Sequence, residues 1–85
     1  MDNQTVLKEW LTDTVRLLVD SPDDVRVDAL ATETGILLRI TAASGDVGKI
    51  IGKNARNAQS LRVLAHAIAM KLKTSVSIDI VDRPR

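Results

Sequence analysis

Apolar residues recur at helical spacing near the start of the chain and predict an amphipathic helix over residues 3–20. Its apolar stripe consists of Leu7, Leu11, Thr14, Val15 and Leu18. Asp2 or Asn3 can cap the start of this helix, because a short polar side chain there accepts a hydrogen bond from a free backbone N–H. Pro22 disfavours a helical conformation at Ser21, so the helix is expected to end before the proline.

Two alternating segments follow, residues 25–31 and 36–42, and they predict an antiparallel hairpin. The inward faces are Val25, Val27 and Ala29 in the first strand and Ile36, Leu38, Ile40 and Ala42 in the second. The turn at 32–35 ends in Gly35, which can adopt the positive φ of a hairpin turn. Leu37 breaks the alternation and predicts some apolar surface on the outer face of the sheet.

The end of the chain predicts a long helix over residues 55–73, a strand over 76–81 and a polar tail at 82–85. The helix face expected against the sheet consists of Ala58, Leu61, Leu64, Ala65, Ile68 and Leu72. A second apolar stripe, on roughly the opposite side of the helix, consists of Val63, Ala67 and Met70. A helix that is apolar on two sides usually covers a second partner, so this stripe is a candidate dimer interface.

A short helix and a basic loop connect the hairpin to the long helix. The short helix has an apolar face of Val47, Ile50 and Ile51, with Ser44 or Asp46 as its cap. Gly52 follows that face, where a helix can end in a left-handed residue that glycine adopts at little cost. Lys53 and Arg56 add positive charge, and Asn54 can cap the helix that follows. Free backbone N–H groups, the helix dipole and the lysine together predict a phosphate site.

This loop resembles the signature of the KH domain, a single-stranded RNA or DNA binding module whose glycine-rich loop clamps backbone nucleotides. The KH motif I-I-G-x-x-G is similar to Ile50-Ile51-Gly52-Lys53-Asn54-Ala55. The wider pattern from Gly48 to Arg62 resembles the small bacterial single-KH proteins of the KhpA (YlqC) family. Ala55 stands where that family has its second loop glycine. Because this position is expected to open the long helix, alanine should be conformationally acceptable there.

The predicted order of elements is α-β-β-α-α-β, an α+β domain with a three-stranded mixed sheet and three helices on one face. The resemblance implies the type II KH fold, with residues 1–85 forming a single KH domain. The RNA-binding residues that it implies are Gly48, Lys49, Ile51, Gly52, Lys53, Asn54, Ala55 and Arg56. By analogy with the family, bases are expected along an apolar groove lined by Gly48, by Val47 or Ile51, and by outward residues of the second strand such as Leu37 and Arg39.

Charge is unevenly distributed along the chain, although the net charge is only +1. Residues 1–44 carry four basic and eight acidic side chains, whereas residues 45–75 carry six basic side chains and Asp46 alone as an acid. A basic segment on an otherwise acidic chain is typical of a polyanion site, although a solvated helix surface would give the same count. Trp10 is the only aromatic residue, so base stacking is not expected to contribute.

Composition favours a non-enzymatic, cytoplasmic protein without a cofactor or metal. Cysteine is absent, and His66 is the only histidine, so no metal-ligand spacing occurs. The P-loop pattern fails because Asn54 occupies its Ser/Thr position. No apolar run approaches the roughly 20 residues of a membrane span.

Two functional hypotheses follow. In the first, the protein binds single-stranded RNA through the loop at 52–55, as a post-transcriptional regulator or RNA chaperone. In the second, it is a protein-interaction adaptor on a KH scaffold that dimerises through its long helix, with weakened RNA binding. The resemblance implies both a homodimer and pairing with a larger KH protein of the KhpB (Jag, EloR) type. The RNA target, and the choice between RNA and single-stranded DNA, stay open.

Overall fold

The computed structural model describes residues 2–81 of the chain. The polar tail predicted at 82–85 lies outside the described residues. The elements in chain order are α1 (Asn3–Arg16), β1 (Arg26–Ala31), β2 (Ile36–Thr41), α2 (Val47–Ile51), α3 (Arg56–Lys71) and β3 (Val76–Ile80). Single helical turns at Pro22–Asp24, Ser44–Asp46 and Lys53–Ala55 precede β1, α2 and α3. No helix within residues 2–81 is long and apolar enough to cross a membrane.

The three strands form one mixed sheet in the order β1-β2-β3. β1 pairs with β2 antiparallel, with Val27 opposite Ile40 and Leu30 opposite Leu37. β2 pairs with β3 in parallel, with Leu38 opposite Ile78. This arrangement confirms the predicted α+β order, in which a hairpin is joined by a third strand after two helices.

The core lies between one face of the sheet and the helices. The sheet contributes Val27, Ile36, Leu38, Ile40, Val76 and Ile78, and α1 contributes Leu7, Leu11 and Val15. Ile50 of α2 and the α3 residues Leu61, Ala65 and Ala69 complete it. The inward faces predicted for the strands and for the first helix are therefore confirmed.

The prediction that Leu64 packs on the sheet is wrong, since 52% of this residue is exposed. The buried stripe of α3 is centred on Ala65 and includes Ala69, which the sequence analysis did not select. Successive helical residues are rotated by about 100°, so Leu64 lies well to one side of that stripe. Small alanines at the contact let α3 approach the sheet closely.

α1 begins as predicted but ends earlier. The N–H of Thr5 donates to Oδ1 of Asp2 at 2.8 Å, which caps the helix and holds the pKa of Asp2 below its ordinary value. The regular helix ends at Arg16 rather than at residue 20. Beyond it, the N–H of Leu18 donates to the carbonyl of Val15 in a tightened last turn.

Gly35 is needed for a close approach and not for a positive φ, which corrects the prediction made for the hairpin turn. Among the described glycines only Gly52 has a positive φ. A Cβ on Gly35 would lie 2.2 Å from the carbonyl oxygen of Ser75. That carbonyl accepts a hydrogen bond from the N–H of Ile36 at 2.9 Å, which starts the pairing of β2 with β3.

We therefore expect Gly35→Ala to destabilise the fold by about 1–3 kcal/mol, because the added methyl must push the two backbones apart. Gly45→Ala is the matched control, since a Cβ there meets no atom within 4 Å, and it should change stability by less than about 0.5 kcal/mol. Urea unfolding measures both values. Equal stability of the two variants would contradict this role for Gly35.

Candidate nucleic-acid interface

The loop between α2 and α3 is built from backbone conformations that most residues avoid. Gly52 has φ 78° and ψ 169°, a region that is open almost only to glycine. Asn54 and Ala55 are left-handed, with φ 56° and 59°. The predicted positive φ at Gly52 is confirmed, and the chain reverses from α2 into α3 within four residues.

Two details predicted for this loop are wrong. Asn54 does not cap α3: Ala55 occupies the cap position, and no side chain makes a capping bond there. Ala55 is not the first residue of the helix either, since α3 begins at Arg56. A left-handed conformation costs a residue with a Cβ roughly 1–2 kcal/mol. The position that carries glycine in the KH motif is therefore one where glycine is favoured, and alanine is strained in it.

The loop presents polar groups to solvent. Lys53, Asn54 and Arg56 are exposed. The N–H of Ala55 donates to the carbonyl of Gly52 at 3.1 Å, and the N–H of Arg56 donates to the carbonyl of Lys53. Among residues 2–81, no hydrogen-bond acceptor lies within reach of the N–H groups of Lys53 and Asn54. Two free donors and two exposed cations thus occur within the four consecutive residues from Lys53 to Arg56.

Asn57 of α3 contacts both α2 and Gly52 of the loop, a role that was not predicted from the sequence. Its Nδ2 donates to the carbonyl of Lys49 at 2.9 Å, which joins the first turn of α3 to α2. Its Cγ lies 2.7 Å from the position that a Cβ on Gly52 would occupy. Gly52 is therefore required both by its φ and by this packing.

Lys49 is held apart from the cations of the loop. Its Nζ lies 3.4 Å from Asp20 Oδ2 and 3.6 Å from Asp46 Oδ1, and it donates to the carbonyl of Gly45 at 3.3 Å. The hydrogen bond and charge of Asp20, followed by the charge of Asp46, raise the pKa of Lys49. The positive charge of Lys49 is therefore largely neutralised by two carboxylates, and Lys53 and Arg56 carry the charge of the loop.

Asp46 anchors the start of α2 to the segment that follows α1. This carboxylate is 3% exposed and accepts hydrogen bonds from the N–H of Ser21 at 2.9 Å and of Asp20 at 3.3 Å. Asp46 occupies the N-cap position of α2, as predicted, but its side chain makes no capping bond there. Burial raises the pKa of Asp46, but the two backbone donors and Lys49 outweigh burial and hold the pKa below its ordinary value.

The residues predicted to line a groove beside α2 lie in different environments. Val47, the first residue of α2, is buried. Gly48 is exposed, and a Cβ there would meet no atom within 4 Å. Ile51 is half-buried. Leu37 and Arg39 lie on the outer face of the sheet, where Arg39 pairs with Asp79 at 3.6 Å. Of this set, Gly48 and Ile51 are the surface residues next to the loop, and a groove shared with β2 stays a prediction.

The second apolar stripe is exposed on α3. Val63 is 69% and Met70 79% exposed, and Ala67 between them is also exposed. His66 is exposed beside this stripe. No group of three or more histidine or acidic residues within 2–81 is arranged to hold a metal ion.

Comparison with known proteins identifies the family. The sequence profile of the KhpA/KhpB KH domain matches residues 8–80. The chain belongs to the KhpA/KhpB family of KH domains. The RNA-binding protein KhpA of Leifsonia xyli subsp. xyli is 40% identical over 77 residues, which cover 91% of this chain and 99% of that protein.

Two further KhpA/KhpB relatives show the same level of similarity. The RNA-binding protein KhpA of Halalkalibacterium halodurans is 42% identical over 65 residues, which cover 76% of this chain and 86% of the relative. The RNA-binding protein KhpA of Chlamydia trachomatis is 36% identical over 76 residues, which cover 89% of this chain and 97% of the relative. The resemblance deduced from the loop motif is confirmed, and the α+β architecture is that of a KH domain.

The left-handed conformation at Ala55 predicts that Ala55→Gly stabilises the protein. Relief of the strain, less the extra flexibility of glycine in the unfolded chain, should raise the free energy of unfolding by about 0.5–1 kcal/mol. Ala67→Gly in the exposed middle of α3 is the control, and it should lower stability by about 1 kcal/mol. Thermal unfolding distinguishes the two variants by the sign of the shift. A loss of stability in Ala55→Gly would contradict the left-handed assignment.

The lowered pKa of Asp46 predicts a specific pH dependence. Because its pKa is lower in the folded than in the unfolded protein, the carboxylate stabilises the fold above about pH 4, and this contribution is lost as the pH falls through the folded pKa. Asp46→Asn should be less stable than wild type at neutral pH, with the difference shrinking as the pH falls below about 4. Urea unfolding across this range tests the prediction, and a difference that does not change with pH would refute it.

Proposed function

We propose that this protein is a non-enzymatic, single-stranded RNA-binding protein whose loop at residues 52–55 contacts the phosphate backbone. The observation that carries the proposal is the pairing of two free backbone donors, on Lys53 and Asn54, with the exposed cations of Lys53 and Arg56. Backbone N–H groups with no internal acceptor, beside positive charge, form an anion site. The relatives named RNA-binding protein KhpA support RNA as the source of that anion.

The proposed contact is with the phosphate backbone of the RNA more than with its bases. Trp10 is the only aromatic residue of the chain, so the stacking platform that gives many RNA-binding modules their affinity is missing. The KH resemblance includes Lys49 among the RNA-binding residues, but its ammonium group forms ion pairs with Asp20 and Asp46, which offset its positive charge. An isolated domain should therefore bind weakly and with low sequence preference. This behaviour suits a post-transcriptional regulator or RNA chaperone that acts on many transcripts in the cytoplasm.

We expect wild-type protein to bind a pool of short single-stranded RNAs with a log–log salt slope near −3, the value for about four neutralised phosphates on a single strand. Lys53→Asp/Asn54→Asp places negative charge where the phosphates should lie and should weaken binding at least roughly ten-fold. Fluorescence anisotropy across a salt series measures both quantities.

Lys71→Asp is the matched control for this experiment. It reverses a charge at the far end of the 16-residue helix α3, about 20 Å from the loop, and should leave the affinity nearly unchanged. No binding by wild type at low salt would refute RNA binding. An equal loss in both variants would mean that general positive charge, and not the loop, holds the RNA.

A second function is favoured by the exposed stripe Val63, Ala67 and Met70. In this proposal the stripe joins two copies of the chain, or one copy and a KhpB-type partner, and the protein acts as an adaptor. The two functions are compatible, because a dimer would present two weak RNA sites on one particle and increase avidity.

The dimer predicts that Val63→Asp/Met70→Lys halves the solution mass measured by light scattering, because the two changes place charge in an apolar contact. Leu17→Asp is the control, since it adds charge at an exposed leucine outside the stripe and should leave the mass unchanged. Circular dichroism verifies that both variants fold. An unaltered mass in the folded double variant would exclude this interface.

A further inference from the structure

The turn from α2 into α3 is closed by one side-chain hydrogen bond. Asn57 Nδ2 donates to the carbonyl of Lys49 at 2.9 Å across an eight-residue separation. Helix ends leave carbonyl groups without an intrahelical partner, and α2 has only five residues. The side chain of the next helix thus supplies a donor to the end of α2, and the two ends of the loop are joined.

The same side chain also fills the space beneath the loop. A Cβ on Gly52 would lie 2.7 Å from Asn57 Cγ and 2.9 Å from Asn57 Cβ. Gly52 therefore packs against the side chain of Asn57, while Nδ2 of the same side chain donates to a carbonyl of α2. The loop is in contact with Asn57 at the residue where its backbone first leaves the helical region.

Lys49, the acceptor of this bond, is itself fixed in place. Its side chain pairs with Asp20 and Asp46, and Asp46 is buried and bonded to the N–H of Ser21. A continuous set of contacts consequently runs from the segment that follows α1, through Asp46 and Lys49, to Asn57 and the loop. Asn57 is the last member of this set and the one that touches the loop.

The loop needs such an external restraint. Asn54 and Ala55 are both left-handed, and each would gain free energy by returning to the right-handed or extended region. Among residues 2–81, the hydrogen bonds of Gly52–Ala55 are short-range bonds along the chain: the N–H of Gly52 donates to the carbonyl of Gly48, that of Ala55 to the carbonyl of Gly52, and the carbonyl of Lys53 accepts from the N–H of Arg56. A loop in this state would sample other conformations unless its two ends were held together.

We infer that Asn57 is the positioning residue of the phosphate-binding loop. This role rests on the proposed function. The bond from Asn57 to Lys49 holds the N–H groups of Lys53 and Asn54 in the orientation that receives a phosphate. Asn57 acts on the free protein and does not touch the RNA. A preorganised loop binds more tightly because the ordering has taken place before binding.

Asn57→Leu tests the inference, since leucine keeps a similar side-chain volume beside Gly52 but has no side-chain N–H to donate to the carbonyl of Lys49. Ser60→Ala is the matched control: Ser60 Oγ donates to the carbonyl of Arg56 at 2.9 Å, so this variant loses a side-chain hydrogen bond on the same helix without changing the loop. Backbone amide hydrogen exchange of Gly52 and Ala55, whose N–H groups donate to the carbonyls of Gly48 and Gly52, is followed by NMR without RNA and reports on the loop. Anisotropy with the pool of short single-stranded RNAs reports on binding.

We expect Asn57→Leu to fold, to exchange the amides of Gly52 and Ala55 roughly 3- to 10-fold faster than wild type, and to bind RNA roughly 3- to 10-fold more weakly, the range for one lost hydrogen bond. The salt slope should stay unchanged, because the same phosphates are contacted. Ser60→Ala should match wild type in both measurements.

Two results would overturn the inference. Loop exchange equal to wild type would show that Asn57 does not hold the loop. Weaker binding without a change in loop exchange would show that Asn57 contacts the RNA directly. If wild-type protein binds no RNA, the proposed function fails. Asn57 then positions no phosphate-binding group, and faster exchange in Asn57→Leu would show only that Asn57 orders the turn.

Discussion

The chain must turn from α2 into α3 within four residues, and the surface proposed for nucleic acid depends on how this turn is made. Gly52 leaves the helical region with a φ that other residues cannot adopt cheaply, and Asn54 and Ala55 follow in the left-handed region. In this geometry the N–H groups of Lys53 and Asn54 donate to no acceptor within residues 2–81. A straighter connection would bury those donors in helical hydrogen bonds.

The rest of the domain keeps this turn in place. The sheet and α1 form a core that holds Ile50 of α2, while the buried Asp46 joins α2 to the backbone after α1. Electrostatics follow from the same contacts. Lys49 is drawn to the carboxylates of Asp20 and Asp46, so the cations left beside the free donors are Lys53 and Arg56. The proposed phosphate site thus has fewer cations than the basic composition of residues 45–75 suggests.

The sequence predicts those features that short-range rules determine. Alternation identifies the inward residues of the strands, Asp2 caps the helix that directly follows it, and Gly52 ends an apolar helical face. The misses depend on contacts between distant segments. Asp46 was assigned to the nearest helix, but its partners Asp20 and Ser21 lie 26 and 25 residues away. Gly35 faces Ser75 across the sheet, and Asn57 reaches back over the loop to Lys49. No local pattern contains these pairings.

The central claim is that the backbone of the loop receives a phosphate, and the most direct measurement is an NMR titration of the protein with a short single-stranded RNA. We expect the amide signals of Lys53 and Asn54 to shift most, followed by those of Gly52, Ala55 and Arg56. Shifts centred on Leu37 and Arg39, or on the exposed stripe Val63, Ala67 and Met70, with the loop amides unchanged, would contradict it.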